Sequence, residues 1–233
     1  MADERIEIPV ELRALVARDL QPVRPLAAPV RRALGLVPVA IVLLFAAVVI
    51  FGMRRDATRL GLALTWGAST FQILLGLALV VAALREAVPG TTLPRRVVGA
   101  AIGTVVVAVL MITLMTWTTS PTTIAPGFVA WVWSICVTGT IVSALPALAI
   151  AGWLAARAFP LRPRLAGALY GVGAGLMADA GWRLFCHFSH PGHVFGAHTL
   201  GIAVTGVLGV LLTLGGSRDG GGNEFDTKAR SER

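Results

Sequence analysis

Six side chains of this 233-residue chain can bind a soft ion or react with an oxidant: its two cysteines, Cys136 and Cys186, and its four histidines, His187, His190, His193 and His198. The histidines fall within a stretch that carries no Lys, Arg, Asp or Glu, and Cys186 adjoins it. Thiolate with imidazole suits zinc or copper(I), whereas magnesium and calcium call for oxygen ligands. Met111 and Met115, one helical turn apart, could offer copper a thioether, although methionines so placed serve equally as packing against lipid or core. The other residues have alternatives too. In an oxidising compartment two cysteines can form a structural disulfide or sense oxidants as free thiols. Neutral imidazoles are tolerated in a polar loop at headgroup depth. Two cysteines without a CxxC exclude a disulfide framework and a four-cysteine zinc site.

The elements that must position these groups are membrane helices. The chain is 56% hydrophobic and only 14% charged, which excludes a soluble globular domain. Its net charge of +8 comes from arginines that flank apolar runs, a pattern that signals topology and affinity for anionic lipid, not direct nucleic-acid binding. Runs long enough to cross about 30 Å of hydrocarbon lie at 33–52, 66–85, 97–117, 131–154, 165–185 and 198–215. Breakers such as Pro89-Gly90, Ser120-Pro121 and Pro191-Gly192 separate them. The expected fold is an all-α integral membrane protein, with a six-helix transmembrane bundle over residues 33–215. The segment before the first run is too polar, and the run too long, for a signal peptide, so that run is expected to remain as an anchor.

Sixteen of the 20 Lys and Arg residues fall on one side of this arrangement, which assigns both termini to the cytoplasm. The third and fifth connectors then face outward. Cys136 enters the fourth helix from that side and Cys186 ends the fifth helix there, so topology predicts that both sulfurs lie near one outer interface.

In the fifth helix Asp179 and Arg183 are spaced i, i+4 and are expected to pair, offsetting about 2.5–3.5 kcal/mol for an unpaired charge at mid-bilayer. Gly167, Gly171, Gly173, Gly175 and Gly181 allow this helix to approach its neighbours closely. Residues 1–32 form a cytoplasmic segment in which a short helix between Pro9 and Pro22 places Leu12, Leu15, Val16 and Leu20 on one side. Such a face suits the inner-leaflet surface or the groove of a cytoplasmic partner. Residues 216–233 are expected to be a disordered cytoplasmic tail.

Leu15-Val16-Ala17-Arg18-Asp19-Leu20-Gln21-Pro22-Val23, Gly175-Leu176-Met177-Ala178-Asp179, Trp182-Arg183-Leu184-Phe185-Cys186 and Ser189-His190-Pro191-Gly192-His193-Val194, with His198 and the cysteine of the fourth helix, resemble the NrsF-like membrane anti-sigma factors. The chain departs from the expected pattern at Cys186-His187, where Cys-Pro or a similar pair is anticipated. The resemblance implies a non-enzymatic regulator in the bacterial inner membrane. Its N-terminal segment, with Leu12, Leu15, Val16, Asp19 and Leu20 as contacts, would hold an extracytoplasmic-function sigma factor. Cys136 and Cys186 would receive a thiophilic metal or an oxidant, with zinc or copper as a regulatory ligand and no obligatory cofactor. A quinone-linked thiol oxidoreductase and a metal transporter or loading factor are the competing functions. The first is weakened by the missing second cysteine pair, and the second by the few polar groups at depth.

Overall fold

A computed structural model describes residues 9–19, 26–158 and 160–219 of the chain, Asp19 and 216–219 by their backbone alone. Among these residues all the regular secondary structure is helical. The elements are α1 (Val10–Asp19), α2 (Pro29–Phe51), α3 (Ala57–Glu86), α4 (Arg95–Thr119), α5 (Pro126–Ala156), α6 (Pro163–Phe185) and α7 (Pro191–Gly215). The last of these continues as helix to Asp219, so the first residues of the expected tail are helical, and 220–233 lie outside the described residues.

Five helices, α2 to α5 and α7, are long and apolar enough to cross a membrane. The run expected as the remaining span, α6, is a 23-residue helix of different character. It packs against α2, α3, α5 and α7, and most of its residues are buried. Its neighbours are protein on nearly every side, so glycine, alanine and isolated polar groups replace the large apolar side chains that a lipid-facing helix needs. At the other extreme, α4 has only Thr113 and Thr116 buried and shows most of its apolar surface outward.

Close packing around α6 rests on glycine. A Cβ added to Gly173 would lie 2.6 Å from the Gly76 carbonyl oxygen of α3, and one on Gly76 would lie 2.6 Å from the Gly173 oxygen. Towards α7, Gly167 faces the Gly209 oxygen at 2.6 Å by the same measure, and the Tyr170 hydroxyl donates to that oxygen at 2.7 Å. A Cβ on Gly181 would run into the Leu43 carbonyl of α2. Each contact needs a missing side chain on α6.

Both ends of α6 are held by charge. At its start, Arg162 donates through Nη2 to Glu86 Oε2 at 2.7 Å and to the Leu93 carbonyl at 2.9 Å, and also pairs through Nε with Glu86 Oε1. The Glu86 side chain has no exposure and accepts from the Leu93 amide at 2.7 Å, whereas Arg162 remains 38% exposed. Replacing Arg162 with Met leaves that carboxylate buried without its cation. Removing one partner of a fully buried pair costs about 3–5 kcal/mol, which solvent access to Arg162 reduces to roughly 2. Denaturation of the detergent-solubilised protein should show that loss; unchanged stability would mean that the pair contributes nothing net.

At its far end, the Arg54 amide donates to the Leu184 carbonyl at 2.8 Å and Arg54 Nη1 to that of Arg183 at 3.2 Å, satisfying carbonyls of the last turn. Asp56 grips the same guanidinium at 2.7 and 2.9 Å. Burial pushes the Asp56 carboxyl up, but hydrogen bonds from Arg54 and Ser120 and the Arg54 charge leave it below its ordinary value.

Candidate metal centre

Cys136 lies about three turns into α5, and Cys186 is the residue that caps α6. The close approach of these helices at the end where α5 begins brings the sulfurs to 3.7 Å, both buried and both free thiols. The connector after Cys186 is clamped from the α4–α5 loop. Thr122 donates to the His187 carbonyl at 3.1 Å and accepts from the Ser189 amide at 2.7 Å, while the Ser189 hydroxyl bonds the Ser120 carbonyl. Pro191 then opens α7 and turns the chain back over the thiols.

The first turns of α7 supply both imidazoles. Residues five apart lie about 140° apart around a regular α-helix, so His193 and His198 would face apart. The segment Val194–His198 is instead a π-helical turn, whose i→i+5 bonding brings such residues to one face. The rings meet edge to face with centroids 5.1 Å apart. His193 Nε2 lies 3.4 Å from Cys186 Sγ. One ligand atom from each of Cys136, Cys186, His193 and His198 can be chosen so that all four lie within 4.8 Å of one another, and all four residues are buried. Trp133, Val137 and Phe188 pack around them, and Gly196 leaves the room that the Trp133 ring fills. A cleft of about 360 Å³ lined by Phe51, Arg55, Phe128, Trp131 and Phe188 reaches the two cysteines.

Two thiols and two imidazoles match the donor types and number of a tetrahedral zinc site and also suit copper(I). The group could therefore hold a metal. Two of the four predicted histidines do not join it. His187 stacks on Phe188 with centroids 4.2 Å apart, and His190 is exposed, caps α7 by accepting from the Gly192 amide at 3.1 Å and sits edge-on to Trp117. Both belong to the connector before the π-helical turn, and their rings are engaged there. Met111 and Met115 are each 50% exposed on α4, unlike the four buried residues of this group.

The pairing expected along α6 is also different. Asp179 accepts from Gln72 of α3 at 2.6 Å and pairs with His198 Nδ1 of α7 at 2.6 Å; among the described residues it forms no ion pair with Arg183. The carboxylate points into the bundle, where cross-helix partners satisfy it better than its neighbour one turn away. Gln72 and Glu86, both buried and polar, carried little sequence signal: Gln72 is a polar residue within an apolar run, and Glu86 follows Arg85 just past the end of that run.

Of the expected partner contacts, Leu12, Leu15 and Val16 lie on α1 and are 51–59% exposed. Asp19 ends that helix, and Leu20 lies outside the described residues.

Among the described residues, five helices apolar enough to span a membrane, and a buried Cys/His group at one end that could hold a metal, give the protein the character of a membrane protein with a candidate metal site. The chain belongs to the NrsF family, described as negative regulator of sigma F, which it matches over residues 16–214. That membership makes it a negative regulator of a sigma factor and points away from an enzyme. No curated protein and no solved structure matches the chain.

Proposed function

We propose that this protein is an anti-sigma factor of the bacterial inner membrane. Six helices cross the bilayer with both termini in the cytoplasm, the N-terminal segment holds an extracytoplasmic-function sigma factor there, and a thiophilic metal or oxidant at Cys136 and Cys186 releases it. The observation that carries this reading is the gathering of four buried soft ligands in a chain that matches a sigma-regulator family over most of its length. A sixth crossing by α6 is supported by its length, about 34 Å for 23 residues. Its two ends also differ in their partners, with Arg162 on Glu86 at one and Cys186 on Cys136 at the other.

The separation of input from output has the same support. Arg32, near the start of α2, bonds the Leu154 carbonyl at the end of α5 remote from Cys136. The helix α2 therefore starts at the end of the bundle away from the thiols. On α1, three exposed apolar residues on one helix are suited to a groove on a partner.

The chemistry follows from the site. Metal capture by two thiols and two imidazoles ties α5, the end of α6 and the start of α7 together, which biases the bundle if those helices have two packings. Moving a switch from 1:99 to 99:1 needs about 5.5 kcal/mol of differential binding, well within the roughly 10–16 kcal/mol of four-ligand zinc sites.

Deleting residues 1–22 is the direct test. A cell carrying the truncated protein should express a sigma-dependent reporter without any inducer. A reporter that stays silent, with the truncated protein present in the membrane, overturns the assignment of sigma binding to this segment.

A further inference from the structure

One polar path leaves the thiol–imidazole group. His198 Nδ1 lies 2.6 Å from Asp179 Oδ1, and Gln72 Nε2 donates to Asp179 Oδ2 at 2.6 Å and to the Leu176 carbonyl at 3.3 Å. All three side chains are buried. A buried carboxylate in a membrane helix needs such partners, because an unsatisfied one is strongly disfavoured. The partner chosen here has a chemical effect. A carboxylate that takes the Nδ1–H bond of an imidazole selects its tautomer, leaves the Nε2 lone pair for a metal and makes that lone pair more basic.

His193 has no such support. Its Nε2 faces Cys186, but its Nδ1 is buried without a partner among the described residues. The two imidazoles of the group are therefore unequal, one anchored through a carboxylate and one held by ring packing and its contact with the Cys186 sulfur.

We infer that Asp179 and Gln72 are positioning residues of the metal centre, with Gln72 orienting Asp179 and Asp179 presenting His198 as the fixed imidazole ligand. This rests on the metal-binding reading given above. It makes α3, which supplies no ligand, part of the centre through Gln72, and it makes His193 the ligand that an arriving ion must orient for itself.

The test is anaerobic titration of the purified full-length protein with cobalt(II), whose thiolate charge-transfer band reports the sulfurs and whose visible bands report tetrahedral geometry. Gln72→Leu should weaken cobalt binding by about 10–100-fold while the charge-transfer band persists at saturation. The distinguishing measurement is a pair of double-mutant cycles. The Gln72→Leu effect should vanish in a His198→Gln background and persist in a His193→Gln background, because Gln72 acts through His198. Asp179→Asn is read in the same two cycles as a second variant.

Wild-type affinity in Gln72→Leu and Asp179→Asn overturns the positioning role. So does an equal loss in both backgrounds, which would mean general loosening of the bundle. If the wild-type protein gives no thiolate-to-cobalt band, the metal reading itself falls, and this inference with it. A wild-type band with unaffected variants removes only the role of Asp179 and Gln72.

Discussion

Serine at Cys136 or Cys186 is expected to give a protein that still silences its sigma factor yet no longer answers a thiophilic metal. The substitution preserves shape in a site where both sulfurs are buried and pack against Ala197, so the resting bundle should persist. It removes a soft anionic ligand that a hydroxyl does not replace. If four ligands share about 10–16 kcal/mol, one is worth roughly 3–4 kcal/mol, or about 10²–10³ in affinity. That loss takes most of the 5.5 kcal/mol or so that a full population shift requires. Metal titration of the purified variants and a sigma-dependent reporter under metal challenge measure the two halves of the prediction. Constitutive reporter expression in either single variant would sink it, because the resting state would then depend on a bond between the sulfurs.

The second large effect is expected at Gly173. A valine there places its Cβ 2.6 Å from the Gly76 oxygen and its methyl groups among Val80 and Leu79. The nearest obstacle is backbone, so the helices must part. Overpacking of this kind costs typically 1–3 kcal/mol, and a clash of main chain on main chain belongs at about 3 or beyond. Parting α3 from α6 also draws Gln72, one turn before Gly76, away from Asp179, so metal affinity should fall together with stability. Gly103→Ala on α4 is the matched comparison, since nothing lies within 4 Å of the added atom and the change should cost nothing, with a gain of up to about 1 kcal/mol from helix propensity. Equal stability of Gly173→Val and wild type in a detergent denaturation series would show that the α3–α6 contact is looser than described.

Much of the bundle was legible because lipid imposes a simple rule on composition. Apolar runs and their breakers located the long helices, and hairpin topology placed Cys136 beside Cys186 although 50 residues separate them. The same rule misleads where a helix does not face lipid. The composition of α6 follows its protein neighbours, and it falls short of the apolarity that marks the other five. Asp179 shows a second limit: a spacing of four along a helix suggested Arg183, while the partners that won, Gln72 and His198, come from helices whose rotation no local pattern discloses. Density of histidines pointed to the right stretch of chain but did not separate His193 and His198 from His187 and His190. That division depends on a π-helical turn, and a helical period read from sequence assumes that none is present.

That turn accommodates a surplus residue in the winding of α7. The rings of His193 and His198 share a face only while the surplus is stored between them. Letting it go would either part the rings or rotate everything from Thr199 onward by about 100°, turning Thr205 and Gly209 off the glycine surface of α6. An ion bound to both imidazoles would therefore act as a pin through a shaft, fixing the angular phase of the whole last helix at the cost of immobilising a single turn.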